Sequence, residues 1–286
     1  MVVTVTLNPA VDVTARADRL RPGETNRLTE SVVNAGGKGV NAARAVLALG
    51  GETLAVGFAG AFYISLLEDL EHRFIPVDDT RVNMKVIDSA GGMTELNGPG
   101  YPAGEANYRT IEALLLRLCA PGTVFVLSGS LPPDAGPGWY GDTIRMLRDK
   151  GGKTVLDASG EALRLGAMAN PDILKPNRDE MAVIGPSARA GLLANSLGAE
   201  GARFTAGGRE WFLPALPLEA VSPAGAGDCM TGALAYALDK GLPPEEGALL
   251  SMAAAAAAVL TPGTRCPSRE LIEICKERYH GIISSA

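Results

Sequence analysis

Apolar runs bounded by turns alternate with stretches of helical spacing through the second half of the chain. Residues 123–127, 154–156 and 173–174 read as short strands, and 139–150 places its apolar positions on one helical face. That order predicts a mainly parallel sheet covered by helices, in which ligands gather beyond the strand ends. Polar residues stand at three such ends: Ser128-Gly129-Ser130, Asp157, and Lys175-Pro176-Asn177. The apolar run 1–7, broken at Asn8-Pro9, reads as the first strand.

The N-terminal third has another rhythm. Residues 11–18, 26–33 and 80–87 alternate partially and are separated by Pro22-Gly23 and Gly36-Gly37, which predicts a small β-sheet projecting from the core. A helix-forming run at 42–49 returns the chain to the core between them. Neither an internal repeat nor a linker rich in Pro, Gly or Ser divides the sequence. The expectation is one α/β domain over 1–286, with lid strands drawn from about 11–33 and 80–100.

Composition narrows the function classes. With 286 residues, 47% hydrophobic and 20% charged, the chain can bury a large core. Its formal charge of -6 weighs against nucleic-acid binding, so an anionic substrate would need a local basic pocket. The start lacks the basic n-region of a signal peptide, and the alanine-rich run 248–260 is too short for a membrane span and reads as a buried helix. A cytoplasmic protein without membrane association is expected. Cys119, Cys229, Cys266 and Cys275 form neither a C-x-x-C pair nor a cluster with His, which disfavours zinc and a disulfide framework.

Three segments carry candidate chemistry. Gly225-Ala226-Gly227-Asp228 precedes an apolar helical run at 230–238. Such a turn can present bare N–H groups and a positive dipole end to a phosphate, with an adjacent carboxylate to accept a proton. The competing reading is that Asp228 only caps the helix. Gly36-Gly37-Lys38-Gly39-Val40-Asn41 also precedes a helix, but its spacing is not that of a P-loop. Asn177-x-x-Glu180 forms either an ordinary capping box or a pair of polar groups on one face near a metal, and the two roles can coexist.

Taken in order, Asn8-Pro9-Ala10-Val11-Asp12, the Gly36–Asn41 segment, Thr80-Arg81-Val82-Asn83, Ser128-Gly129-Ser130-Leu131-Pro132, Lys175-Pro176-Asn177-Arg178-Asp179-Glu180 and Gly225–Asp228 resemble the PfkB, or ribokinase-like, carbohydrate kinases nearly end to end. Within that family the chain resembles the hexose-phosphate branch of 1-phosphofructokinases, tagatose-6-phosphate kinases and minor 6-phosphofructokinases. Pro22–Arg27 is most similar to the 1-phosphofructokinases. The resemblance implies a three-layer α/β/α core with a β-sheet lid, and transfer of the ATP γ-phosphoryl to a phosphorylated ketohexose, fructose 1-phosphate first. It implies that Asp228 is the base and that the N–H groups of Gly225, Ala226 and Gly227 form the anion hole. Asp12, Gly37 and Asn41 would hold sugar hydroxyls; Arg81, Lys38 and Arg27 are candidates for the substrate phosphate, with Ser130 beside them. Asn177 and Glu180 would organise Mg²⁺ through water. Ser196, Gly198, Gly201 and Gly263 would line the nucleotide pocket. A homodimer through the lid is compatible with this picture.

The chain also departs from the family pattern. Only fifteen residues, 181–195, separate Glu180 from Ser196, where a further helix and a strand are usual. That spacing predicts a disturbed sheet edge and nucleotide side. Pro223-Ala224 replaces a Thr-plus-small pair before the glycine turn, and the turn after Phe58 is Ala59-Gly60-Ala61. These departures define an alternative of another class, a sugar-phosphate-binding protein with impaired kinase activity.

Overall fold

A computed structural model describes residues 1–185 and 189–284. The chain opens with β1 (Val2–Thr6), β2 (Ala10–Ala17), β3 (Leu28–Gly36), α1 (Lys38–Ala48), β4 (Thr53–Ala59), the single-turn α2 (Ala61–Ile64), β5 (His72–Pro76), β6 (Arg81–Asp88) and β7 (Met93–Asn97). It continues with α3 (Glu105–Leu118), β8 (Val124–Ser128), α4 (Trp139–Asp149), β9 (Lys153–Asp157), α5 (Gly160–Ala167), β10 (Ile173–Leu174) and α6 (Arg178–Ile184). Last come β11 (Leu192–Ser196), β12 (Gly201–Ala206), β13 (Arg209–Pro214), α7 (Ala226–Lys240), α8 (Pro244–Val259) and α9 (Arg269–Ser284).

Among the described residues, nine strands form the large sheet in the order β13-β12-β11-β10-β9-β8-β1-β4-β5. Every pairing from β5 to β11 is parallel, and β12 and β13 complete the edge antiparallel. The central strands β1, β4 and β8 are buried along their whole length and mostly apolar because helices cover both faces. In β1, Val2 joins the cluster under α1, α7, α8 and α9, whereas Val3 and Val5 join Ile111 of α3 and Ile144 and Leu147 of α4 on the other side. Each fully buried side chain of this size contributes about 1.5–3 kcal/mol. Helix α8 is buried on nearly every side, and its alanines let α7 and α9 approach closely.

The smaller sheet, β3-β2-β6-β7, is built from the segments expected to form a lid and is called the lid sheet for that reason. Its register sets Asn34 and Asn83 directly opposite Asp12, so these three residues share one face. A third cluster, built on Val11, Ala35, Val40, Ala59 and Tyr63, joins the base of the lid to the core, and the Tyr63 hydroxyl donates to the Gly36 carbonyl at 2.7 Å.

Two boundaries differ from the sequence reading for identifiable reasons. Strand β3 starts at Leu28 rather than at 26, because the Asn26 side chain accepts from Arg21 N at 2.8 Å and donates to Arg21 O at 2.9 Å, closing the preceding loop as a turn. Helix α1 starts at Lys38 rather than at 42, since its first turn packs against β1: a Cβ on Gly39 would stand 2.3 Å from Thr6 Oγ1.

The expectation of a disturbed sheet edge is corrected. Helix α6 has already begun at Arg178, so it draws only four of the fifteen residues from 181–195, and β11 still pairs with β10 in register. Residues 186–188 of that segment lie outside the described residues. Among those described, no further helix stands between α6 and β11.

Candidate active site

Parallel strands bring their C-terminal ends to one edge of the large sheet, and Ser128, Asp157 and Lys175 all stand there. Tyr140 of α4 fixes the end of β8 by donating to the carbonyls of Ser128 and Gly129 at 3.0 and 3.1 Å.

Helix α7 begins over this edge. Its N-cap is Gly225, at φ 80°, a left-handed conformation that strains any residue with a Cβ. The first intrahelical bond runs from Cys229 N to Gly225 O at 2.9 Å, which leaves the N–H groups of 226–228 to face out of the helix start. Among the described residues no side chain caps them, which removes the reading of Asp228 as a helix cap. Its carboxylate instead accepts from Asn41 Nδ2 of α1 at 2.8 Å. Burial and the negative charge of Asp157 push the Asp228 carboxyl up to about 6, against the opposing pull of Asn41, Lys38 and Lys175.

Beneath Asp228 lies a charge cluster of which the sequence reading assigned only Lys38, to the substrate phosphate. Asp157 is fully buried and accepts from Lys38 Nζ at 2.8 Å and from Thr231 Oγ1 at 2.7 Å, while Lys175 Nζ stands 3.3 Å away. Burial raises its pKa, but the two ammonium groups and the hydroxyl outweigh it and hold the carboxyl below the usual range. For Lys38 burial works the other way, and the Asp157 carboxylate overcomes it to hold the ammonium protonated. Lys175 also faces the glycine turn, since a Cβ on Gly227 would stand 3.7 Å from its Nζ. One signal for Asp157 and Lys175 was present in the sequence: each is a charged residue at the end of an otherwise apolar strand.

On the lid side, Asp12 accepts from Asn83 Nδ2 at 3.1 Å. Burial raises its carboxyl pKa, opposed by that bond and by the charges of Arg81 and Lys85. Gly36 is glycine because a Cβ there would lie 1.9 Å from Asp12 Oδ2. Gly37 follows and leads directly into Lys38 and Asn41, so Asp12 is tied through this turn to the centre of the site. Arg81 is half-buried and pinned at the base of the lid, with Nε donating to Pro9 O at 3.3 Å and Nη1 to Gly98 O at 3.1 Å. Ser130 accepts from Asn8 Nδ2 at 3.1 Å. Arg27 is not brought to its own chain's site. It is exposed beyond Leu28, which lies near Ala17, five residues up the strand from Asp12 and about 17 Å away at strand rise.

Asn177, Glu180, Ser196, Gly198 and Gly201 stand at or after the ends of β10 and β11, whereas Gly263 lies elsewhere, after α8. Asn177 and Glu180 form a reciprocal capping box, each accepting from the other's backbone N–H at 2.8 Å. Ser196 bridges to Asn177, and its N–H donates to Pro176 O at 2.9 Å. Gly198 opens the 3₁₀ turn that follows, and Gly201 ends it. Gly263 sits in the loop after α8, where the Cα of Thr264 lies 3.4 Å from the position of a Gly225 Cβ. That loop therefore backs the turn at the start of α7.

Residues 2–271 match the model of the pfkB family of carbohydrate kinases, and the chain belongs to that family. It is thereby a phosphotransferase with an alcohol group as acceptor. More particularly, the 1-phosphofructokinase of Rhodobacter capsulatus is 35% identical to it, over 94% of this chain and 93% of the relative. Phosphofructokinase-2 from Escherichia coli, solved in complex with potassium, matches with a TM-score of 0.92 at 29% identity over 98% of this chain and 99% of that one. A ribokinase from Thermotoga maritima, 23% identical, shares the fold at a TM-score of 0.77 over 97% of this chain and 99% of its own.

Proposed function

We propose that this chain is a fructose-1-phosphate kinase, transferring the γ-phosphoryl of MgATP to a sugar hydroxyl to give fructose 1,6-bisphosphate. The observation that carries the reading is the start of α7, where uncapped N–H groups and a carboxylate with a raised pKa meet beside two lysines. The sugar hydroxyl sits against Asp228, which takes its proton as the oxygen attacks phosphorus. Negative charge on the moving phosphoryl falls on the N–H groups of the Gly225-Ala226-Gly227 turn and on Lys175, and these donors are already in place before reaction. Asp12, Gly37 and Asn41 orient the sugar, and the lid excludes water.

The nucleotide side fits Mg²⁺ held mostly by water and phosphate. One Glu180 oxygen is used by the capping box and the other remains for a metal-bound water, and among the described residues no group of three or more His, Cys, Asp or Glu gathers to form a closed cage. When bound, the ion neutralises charge on the nucleotide phosphates. Ser196, Gly198, Gly201 and Gly263 line the nucleotide pocket in this reading. The in-register pairing of Ile173 and Leu174 with β11 supports an ATP-using enzyme over a sugar-binding protein that has lost its nucleotide side.

Arg81 keeps Nη2 clear of its two carbonyl partners and is the arginine we assign to the substrate phosphate, with Lys38 and Ser130 as secondary candidates. Arg81→Ala is expected to raise the KM for fructose 1-phosphate about tenfold or more, on the worth of a charged hydrogen bond, with a smaller effect on kcat. An unchanged KM would remove Arg81 from that role.

We place the enzyme in the cytoplasm, with its phosphorylated substrates; among the described residues no helix is long and apolar enough to cross a membrane. The lid face opposite Asp12 exposes Val33, Val82 and Leu96, and we assign it to a homodimer contact. Sedimentation at micromolar concentration should give a dimer, and a Leu96→Asp chain should run as a monomer; a monomeric parent would contradict the assignment. The test of the function itself is a coupled assay across fructose 1-phosphate, fructose 6-phosphate and tagatose 6-phosphate. The expected order places fructose 1-phosphate highest in kcat/KM, and a higher value for either other sugar moves the chain to another branch of the family.

A further inference from the structure

We propose that Asp157 is a positioning residue for phosphoryl transfer, anchoring Lys38 and Lys175 and supplying the negative charge that keeps Asp228 basic. This rests on Asp228 being the base.

Asp157 is fully buried at the end of β9, so its role is exerted through its neighbours. Three elements converge on its two oxygens. Oδ1 takes Lys38 from the first turn of α1, and Oδ2 takes the Thr231 hydroxyl from α7 and lies 3.3 Å from Lys175, just beyond β10. Lys38 is partly exposed and Lys175 almost wholly buried, so one carboxylate orients both a cation at the cleft surface and a cation under the anion-binding turn.

The charges explain why a buried carboxylate is useful there. Lys38, Lys175, Asp157 and Asp228 sum to zero. With Asp157 neutral, two ammonium groups would face a single carboxylate, would pair with it, and would stabilise its ionised form. A base held that way accepts a proton poorly, and its lysines are drawn away from the phosphoryl group. The groups that bear on Asp228 are Asn41 and Lys38 from α1, Asp157 from β9, Lys175 from the β10 end and Cys229 beside it on α7, with Glu180 of α6 acting on Lys38.

The test is the pH profile of kcat/KM for Asp157→Asn, the base's protonation being read from the acid limb. The limb is expected to move to lower pH by about one unit, the size of a close like-charge effect, while plateau activity falls about tenfold. A purely structural loss would lower the plateau without moving the limb. Should Asp157→Asn fail to fold, Asp157→Asn/Lys175→Met removes one charge of each sign, and its limb is expected near the wild-type position on a lower plateau. A single-variant limb that stays in place or moves up, or a double-variant limb well below the wild-type position, overturns the proposal. Retained turnover in Asp228→Asn would instead overturn the reading of Asp228 as the base, so the two failures are distinct.

Discussion

Asp228→Asn is expected to lower kcat by about 10²- to 10⁴-fold, the usual worth of a general base, while fructose 1-phosphate and MgATP still bind. The amide keeps the shape and can still meet Asn41 after a flip, so the fold and the start of α7 should survive. Only proton acceptance is lost. Wild-type activity should carry the same signature in its pH dependence. Because burial and Asp157 push the carboxyl up to about 6, it is ionised above that pH and protonated below it. Activity is therefore present on the alkaline side, and kcat/KM should fall about tenfold per unit as pH drops below about 6. Steady-state rates between pH 5 and 9, with sugar binding measured by calorimetry, check both statements. A kcat within threefold of wild type in the asparagine variant would remove Asp228 from the chemistry.

The second large effect is expected at Lys175. Its ammonium is almost fully buried, 3.3 Å from Asp157 and close against Gly227. Lys175→Met keeps the length and the packing of the stem but removes the cation under the anion-binding turn. On the scale of a single lost transition-state donor, kcat should fall about 10²- to 10³-fold with little change in the KM for sugar. Asp157 retains Lys38 and Thr231, so the variant should remain folded, which a thermal melt will show. A change confined to KM would make Lys175 a ground-state contact and shift the charge stabilisation onto the backbone N–H groups alone.

The sequence makes the frame of this site legible, and leaves its interior largely hidden. Short apolar runs at 123–127, 154–156 and 173–174 became β8, β9 and β10 because strands covered on both faces are predominantly apolar. Gly225–Asp228 could be read as a phosphate-binding turn because glycine, helix start and carboxylate lie in four consecutive residues. Asp157 and Lys175 are eighteen residues apart, and only the parallel pairing of β9 with β10 brings their side chains together. Spacing could not show that. Asn83 needed the register of β2 against β6 to stand opposite Asp12. Arg27 failed in the opposite sense: it lies close to the glycine segment along the chain, yet β3 carries it to the far end of the lid. The short 181–195 segment has room for β11 but, among the described residues, not for a further helix; only the inference of a disturbed sheet edge failed, because α6 is already under way before Glu180.

On the reading proposed above, this chain joins fructose 1-phosphate and MgATP in one reaction. That reading is tested most directly by following ³¹P resonances of the purified protein with both substrates at pH 7.5. Stoichiometric conversion to fructose 1,6-bisphosphate and ADP is expected, slowed about 10²- to 10⁴-fold in Asp228→Asn. Binding of fructose 1-phosphate with no phosphoryl transfer in the wild-type chain would contradict it.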